Sequence, residues 1–262
     1  MTKEPTETVV IIGAGNLANS LAPALKGAGL IILQVYSRTE ESGEFLANKL
    51  NCEYSTHLDD IRKDPDIYFL LLTDQATLSF ISKFDFPEAL IVHASGGLDI
   101  SVLEGCSMHH GVFYPVQTFT KKNEIDFENI PICIEASDTV SQKKLLEIAK
   151  KLSDEYYLIN SVQRKYLHVA AVFACNYVNH MYDISADILE DASLPFDLLH
   201  PLIMETAKKA INNSPHTVQT GPSIRNDKVV INEHLKLLAA NPHFQSIYEE
   251  LSSSIQKIFR DN

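Results

Sequence analysis

The sequence predicts an α/β domain built on a mostly parallel sheet, followed by an all-helical domain. Three observations carry this reading. Short apolar, β-rich runs alternate with helix-patterned segments over residues 1–159, the strand signal stops near Asn160, and residues 160–262 read as helices joined by polar loops.

The elements follow in order. TVVIIG is a strand, a helix begins at about Leu17, LIILQVYS is a strand, and a second helix begins at about Glu41. CEYS, DIYFLLLT, ALIVHAS, GVFYPV and IPICIEAS continue the strand series; SQKKLLEIAKKL is helical and YYLI, near Tyr157, is the last strand. Strands of this apolar, non-alternating kind are buried on both faces, which requires helices above and below the sheet. Beyond Asn160 come a long helix through about Leu189, a second from Pro195 to about Asn212, a polar loop, and two more from about Lys228 and Pro242. No Gly/Ser- or Pro-rich linker separates the two parts.

Charge and composition exclude several classes. With 22 basic against 34 acidic residues the net charge is −12, which opposes a nucleic-acid backbone or an anionic membrane. MTKEPTET has none of the zones of a signal peptide, and the runs LIILQVY and IYFLLL are too short to span a bilayer, so a soluble, cytoplasmic protein is expected. Cys52, Cys106, Cys133 and Cys175 are scattered without zinc-site spacing and read as reduced thiols, and no metal site is expected.

After the first strand stands GAGNLA, Gly13 to Ala18, a G-x-G-x-x-A turn. Gly13 permits the tight turn, Gly15 lets backbone approach a pyrophosphate, Ala18 keeps the helix close to the sheet, and Asn16 and Leu17 open that helix toward the phosphates. Its place between a strand and a helix makes it a dinucleotide-binding signature. The second strand ends Tyr36-Ser37-Arg38-Thr39, with no acid before Glu40. An arginine between two hydroxyls suits the 2′-phosphate of NADP better than the ribose hydroxyls of NAD.

Ligands in open α/β sheets lie beyond the carboxyl ends of the strands. Thr73 and Asp74 lie at one such end, and His93, Ser95, Gly96 and Gly97 at another. His93 is a proton donor or a turn cap on equal grounds. His109 and His110, adjacent on a strand, point to opposite faces, so at most one addresses a given site.

On the long helix, Lys165, His168, Val172, Asn176, Asn179 and Asp183 fall within an arc of roughly 80° at about 100° per residue. His168 and Asn176 on this stripe are candidate catalytic residues, a proton donor and a polarising amide, with His93 as the competing donor. Asn179 joins them as a substrate contact. In the loop HTVQTGPSIRNDKVV, Arg225 reads as a clamp for a substrate carboxylate or a cofactor phosphate, Thr220 stands in its turn, and Asp227 orients that arginine or caps the next helix.

With GAGNLA, SRT, HASGG, HHGVFYPVQTF, the His168/Asn176 helix, TGPSIRND and His234-Leu235 in this order, the chain resembles the Rossmann-like proteins with a DUF2520 C-terminal domain. That family is similar to pyrroline-5-carboxylate reductase, ketopantoate reductase and the β-hydroxyacid dehydrogenases, and is described as NADP- or coenzyme F420-dependent. The resemblance implies a Rossmann-type NAD(P)-binding domain, an all-helical domain of the 6-phosphogluconate dehydrogenase C-terminal type, and a homodimer formed through it. It departs from the β-hydroxyacid dehydrogenases one turn beyond Lys165, where His168 or Val169 stands in place of their asparagine. The expected function is hydride transfer with NADP, NAD or F420 being less favoured, to or from a small keto, hydroxy or imino acid. A non-catalytic NADP-binding sensor or scaffold is the alternative.

Overall fold

The computed structural model describes residues 6–120 and 125–260. The chain forms two compact units, Met1–Ala174 and Cys175–Asn262.

In the first unit, strand β1 (Thr8–Ile12) leads into helix α1 (Asn16–Gly27), then β2 (Ile31–Tyr36), α2 (Glu40–Leu50), β3 (Glu53–Ser55), β4 (Ile67–Leu70), α3 (Asp74–Ile81) and β5 (Leu90–His93). β6 (His110–Pro115), β7 (Ile132–Ala136), α4 (Thr139–Leu152), β8 (Tyr156–Leu158) and α5 (Ser161–Ala171) follow. The eight strands lie in the order β3-β2-β1-β4-β5-β6-β7-β8. All neighbours are parallel except β6 and β7. The order reverses at β1, so the loops after β1, β2, β4 and β5 share one edge of the sheet, where a doubly wound fold binds its ligand.

Strand residues alternate between two cores. Val9, Ile11, Phe69 and Phe113 face one side with α1, α2 and α4, and Val10, Ile12, Tyr68 and Leu70 face the other with α3. This double burial accounts for the continuous apolar runs of the sequence. Helix α3 lies between DIYFLLLT and ALIVHAS, where the sequence shows no clear helix signal because its eight residues barely complete two turns.

The long helix begins at Ser161, as the end of the strand signal predicts, under a capping box in which Asn160 and Gln163 exchange side-chain and backbone hydrogen bonds. The division into compact units comes inside this helix, between Ala174 and Cys175, whereas the sequence reading places it at 159/160. The physical reason is that the first turns of α5 are bonded to the sheet and its loops. Val172–Tyr177 then form a π-helical stretch before α6 (Val178–Asp191). Such a stretch widens the turn and shifts the phase of all that follows. The single polar stripe expected from Lys165 to Asp183 therefore does not hold its line beyond Ala171.

The second unit continues with α7 (His200–Asn212), α8 (Lys228–Leu237) and α9 (Pro242–Arg260). Among the described residues no helix is long and apolar enough to cross a membrane.

Packing between β6 and α4 is tight enough to exclude a methyl group. A Cβ on Gly111 would stand 2.7 Å from Leu145 Cδ1 and 2.8 Å from the Glu135 carbonyl oxygen, and backbone cannot yield as a side chain can. Gly111→Ala is expected to destabilise the fold by about 1–3 kcal/mol in urea unfolding; an unchanged midpoint would contradict this packing.

Candidate functional site

The turn after β1 is shaped by contact with β4. Gly13 has φ +114°, and a Cβ there would lie 2.4 Å from the Leu71 carbonyl oxygen, so only glycine fits. Its amide donates to the Tyr36 carbonyl at 2.8 Å, joining the turn to the end of β2. Asn19, buried, donates to the carbonyls of Ala14 and Gly15 at 3.0 and 2.9 Å and holds the turn from below. Gly15 and Asn16 are exposed, Leu17 is half-buried and Ala18 is sealed against the sheet. A Cβ on Gly15 would meet nothing within 4 Å, so the space over it is open. Gly15 caps α1 without a side-chain hydrogen bond, and no acid stands in the first turn. The positive end of the helix thus faces open space, which fits a pyrophosphate.

At the end of β2, Ser37 is buried and its Oγ accepts from the Thr39 amide at 3.4 Å, which turns Arg38 and Thr39 outward. Across β1, Thr73 caps α3 by accepting from the Ala76 amide, and Asp74 opens that helix.

The loop after β5 is the most heavily bonded part of the edge. Ser95 Oγ donates to Asp74 at 2.6 Å and accepts from the amides of Gly97 and Leu98 at 3.0 and 2.9 Å. Arg164 of α5, 1% exposed, donates to the carbonyls of Ser95 at 3.1 Å and Leu98 at 2.6 Å, to Ser161 Oγ at 3.0 Å, and to Glu135 of β7. Ser161 donates to Glu135 at 2.7 Å and accepts from the Ile100 amide at 2.9 Å. Lys165 pairs with Asp99 at 2.8 Å, which draws the Asp99 carboxyl down to about 2. Loop, helix and β7 form one bonded block.

His168 lies one turn beyond Arg164 and packs on the loop. A Cβ on Gly96 would stand 2.6 Å from the His168 ring atoms, so the imidazole rests directly on the Gly96 backbone. Its Nδ1 is 3.2 Å from the hydroxyl of Tyr114, on β6. Burial, and to a lesser degree the charge of Cys133, push the Tyr114 phenol up, with Arg164 opposing, so the phenol keeps its proton at neutral pH. His93, by contrast, is fully buried beneath the loop, where Nδ1 accepts from the Ser95 amide at 3.1 Å and Nε2, near the Asp99 backbone, has no partner within ordinary hydrogen-bond limits among the described residues. Burial, joined by the nearby Arg164 charge, lowers it to about 4 against opposing contributions from Asp99 and Asp74. His93 shapes the loop from inside, and His168 stands at its surface.

His109, just before β6, and His110, its first residue, lie at the opposite edge. His109 bonds Asp138 at 3.0 Å and His110, buried, bonds the Ser107 carbonyl at 3.0 Å. Among the described residues no group of three His, Cys, Asp or Glu side chains is arranged to hold a metal ion. In the second unit Asn176, Asn179, Thr220 and Arg225 are exposed, and Asp227 caps α8 by accepting from the Val230 amide at 3.2 Å.

The structure therefore gathers Gly13, Gly15, Asn16, Leu17, Ser37, Arg38, Thr39, Thr73, Asp74, Ser95, Gly96 and His168 along one edge of the first unit. It adds Tyr114, Arg164, Glu135 and Ser161, which sequence reasoning did not single out. A buried arginine is invisible to a pattern that expects charges outside, and Tyr114 reads as one more aromatic of an apolar strand.

His93 makes stability depend on pH. Its folded value lies below the ordinary 6.5, so its contribution is complete above that value and is lost as pH falls toward about 4. That difference corresponds to about a few kcal/mol of stability. A His93→Gln variant is expected to lose less stability between pH 7 and pH 4 than the parent in urea titrations; parallel losses would assign the acid sensitivity elsewhere.

Comparison with known proteins agrees with this geometry. Residues 130–255 match the family model "Domain of unknown function (DUF2520)", and residues 8–97 match "NADP oxidoreductase coenzyme F420-dependent". No curated protein matches the chain. Among solved structures, a Bacteroides fragilis protein described as a "putative NADP oxidoreductase" is 47% identical, with TM-score 0.90 over 96% of this chain and 98% of that one. A Myxococcus stipitatus imine reductase in complex with NADP+ shares the fold at 15% identity, TM-score 0.67, over 98% and 93% of the two chains. So does a Streptococcus pyogenes 1-pyrroline-5-carboxylate reductase at 12% identity, TM-score 0.63, over 96% and 99%. On its near-full-length match to the Bacteroides protein and on both family models, this chain belongs to the Rossmann-like family of NADP oxidoreductase-type proteins that carry a DUF2520 domain.

Proposed function

We propose that the chain is an NADP-dependent reductase that transfers a hydride to or from the C=O or C=N carbon of a small keto, hydroxy or imino acid. The observation that carries this is the seating of His168 on the Gly96 backbone, at the same sheet edge as an open glycine turn and an uncapped helix N-terminus. The glycine turn and the first amides of α1 would hold the pyrophosphate, and Arg38 with Ser37 and Thr39 the 2′-phosphate. Thr73, Asp74, Ser95 and Gly96 would line the path toward the nicotinamide. Reduced NADP, when bound, supplies the hydride.

His168 supplies the proton. The Tyr114 oxygen accepts from Nδ1–H in the charged and the neutral ring alike, so Nε2 is the nitrogen that loses and regains a proton. The Nε2 hydrogen of the charged ring is given to the nitrogen or oxygen of the acceptor as its carbon gains hydride, which leaves the neutral ring, and is taken back in the reverse direction. Arg164 and Ser95 keep the loop under the imidazole fixed, so the ring is aimed before substrate arrives. Asn176, Asn179, Thr220 and Arg225 keep their proposed roles: a polarising amide at Asn176, and substrate contacts, with Arg225 for a carboxylate.

The proposal includes a homodimer through the helical unit. Of that unit's described hydrophobic residues Ile184 alone is buried, while Leu202, Met204 and Ile211 of α7 are 62, 59 and 82% exposed. So much bare apolar surface needs a cover, and a second copy supplies a matching one.

Purified protein is expected to enhance the fluorescence of NADPH on binding it and to oxidise NADPH with at least one member of a panel of cyclic imines and 2-keto acids. His168→Gln is expected to cut kcat about a hundredfold or more with NADPH binding retained. Gly96→Ala, which drives a methyl into the imidazole, is expected to lower kcat in the same direction. A protein that binds NADPH but reduces nothing on the panel would be a sensor, and intact turnover in His168→Gln would remove that residue from the mechanism.

A further inference from the structure

Between the end of β2 and α3 lies a pocket of about 130 Å³ whose rim carries Arg38 and Lys83 and whose walls include Tyr36, Leu58, Ala76 and Phe80. Lys83 stands just past the carboxyl end of α3, where its amide donates to the Phe80 carbonyl. Tyr36 and Phe80 pack with ring centroids 5.5 Å apart, which fixes the back of the pocket. Neither Arg38 nor Lys83 has a side-chain ion pair or hydrogen bond among the described residues, and no acidic residue lines the pocket. What sets these two cations apart is that they come from separate elements and meet over one apolar slot, in a chain of net charge −12. The arrangement fits a flat apolar ring that carries a phosphate at its edge.

Resting on the NADP reading above, we propose that this pocket takes the adenosine end of the cofactor and that Lys83 is a second cation on the 2′-phosphate, sharing with Arg38 the discrimination of NADP from NAD. Arg38 offers a planar fork, and Lys83 a point charge on a flexible stem that closes on the phosphate from the α3 side. Sequence around Ser37-Arg38-Thr39 reveals the first cation; the second lies 45 residues on, and the fold alone brings it to the same pocket.

The test uses adenosine 2′,5′-bisphosphate and AMP as probes, in calorimetry on the full-length protein with Lys83→Gln and Arg38→Gln variants. Both side chains are exposed, so the variants should fold as the parent does. The parent is expected to favour the bisphosphate over AMP by about tenfold or more, and Lys83→Gln to weaken bisphosphate binding about five- to tenfold with AMP changed by less than about twofold. Equal weakening toward both probes, or none in Lys83→Gln while Arg38→Gln loses the preference, would overturn the role of Lys83 and leave the NADP reading standing. Failure of the parent to bind the bisphosphate or NADPH would overturn both.

Discussion

The buried guanidinium of Arg164 is the interaction on which the functional edge depends. It sits at 1% exposure with four partners: two loop carbonyls, a serine hydroxyl of its own helix, and the Glu135 carboxylate of β7. A charge so enclosed is costly to desolvate and is tolerated because all sides of the fork are bonded. Pairs of this kind lose about 3–5 kcal/mol when one partner is removed, because the other is left buried and uncompensated. The loop after β5 therefore has little freedom to leave the helix. What that rigidity serves is seen one turn further on, where His168 is laid on the same loop.

The two histidines of the edge divide the work that the sequence left undivided between them. A buried imidazole held neutral, with Nδ1 accepting a loop amide, is a structural peg. An exposed imidazole with one nitrogen on a tyrosine hydroxyl is the proton donor of the proposed reaction. Both depend on Gly96 and Ser95. Ser95 satisfies His93 from above through its amide and fixes Gly97 and Leu98 through its hydroxyl, and Gly96 has no side chain to lift His168 away.

Much of this fold was legible in the sequence: all eight strands appear where it indicates, the six inner ones through the apolar continuity of strands buried on both faces, and the largely exposed edge strands β3 and β8 through their short β-rich runs. The glycine turn was legible for a related reason: Gly13 answers to a steric demand made by Leu71, and such demands permit one residue type. Two features escaped for physical causes. The π-helical stretch at Val172–Tyr177 leaves no mark in a hydrophobic period, so a stripe computed at a constant angle ran past the point where the angle changes. Tyr114 and Arg164 act through partners far away in sequence, Tyr114 on His168 and Arg164 on Ser95 and Leu98, and no local pattern carries a contact of that range.

Charge is the remaining constraint. A protein of net charge −12 repels a polyanionic ligand at long range, so any attraction has to be built locally. The edge does this without a large basic patch. No acid stands in the first turn of α1, and Arg38 and Lys83 border a pocket lined by no carboxylate, while the two cations beside the loop after β5 are neutralised, Lys165 by Asp99 and Arg164 by Glu135. Leaving a cation unpaired on an acidic protein forgoes a favourable contact that neighbouring residues could readily supply. That two such cations border the same apolar pocket is why the adenosine end, rather than the reacting end, is where this chain declares its cofactor.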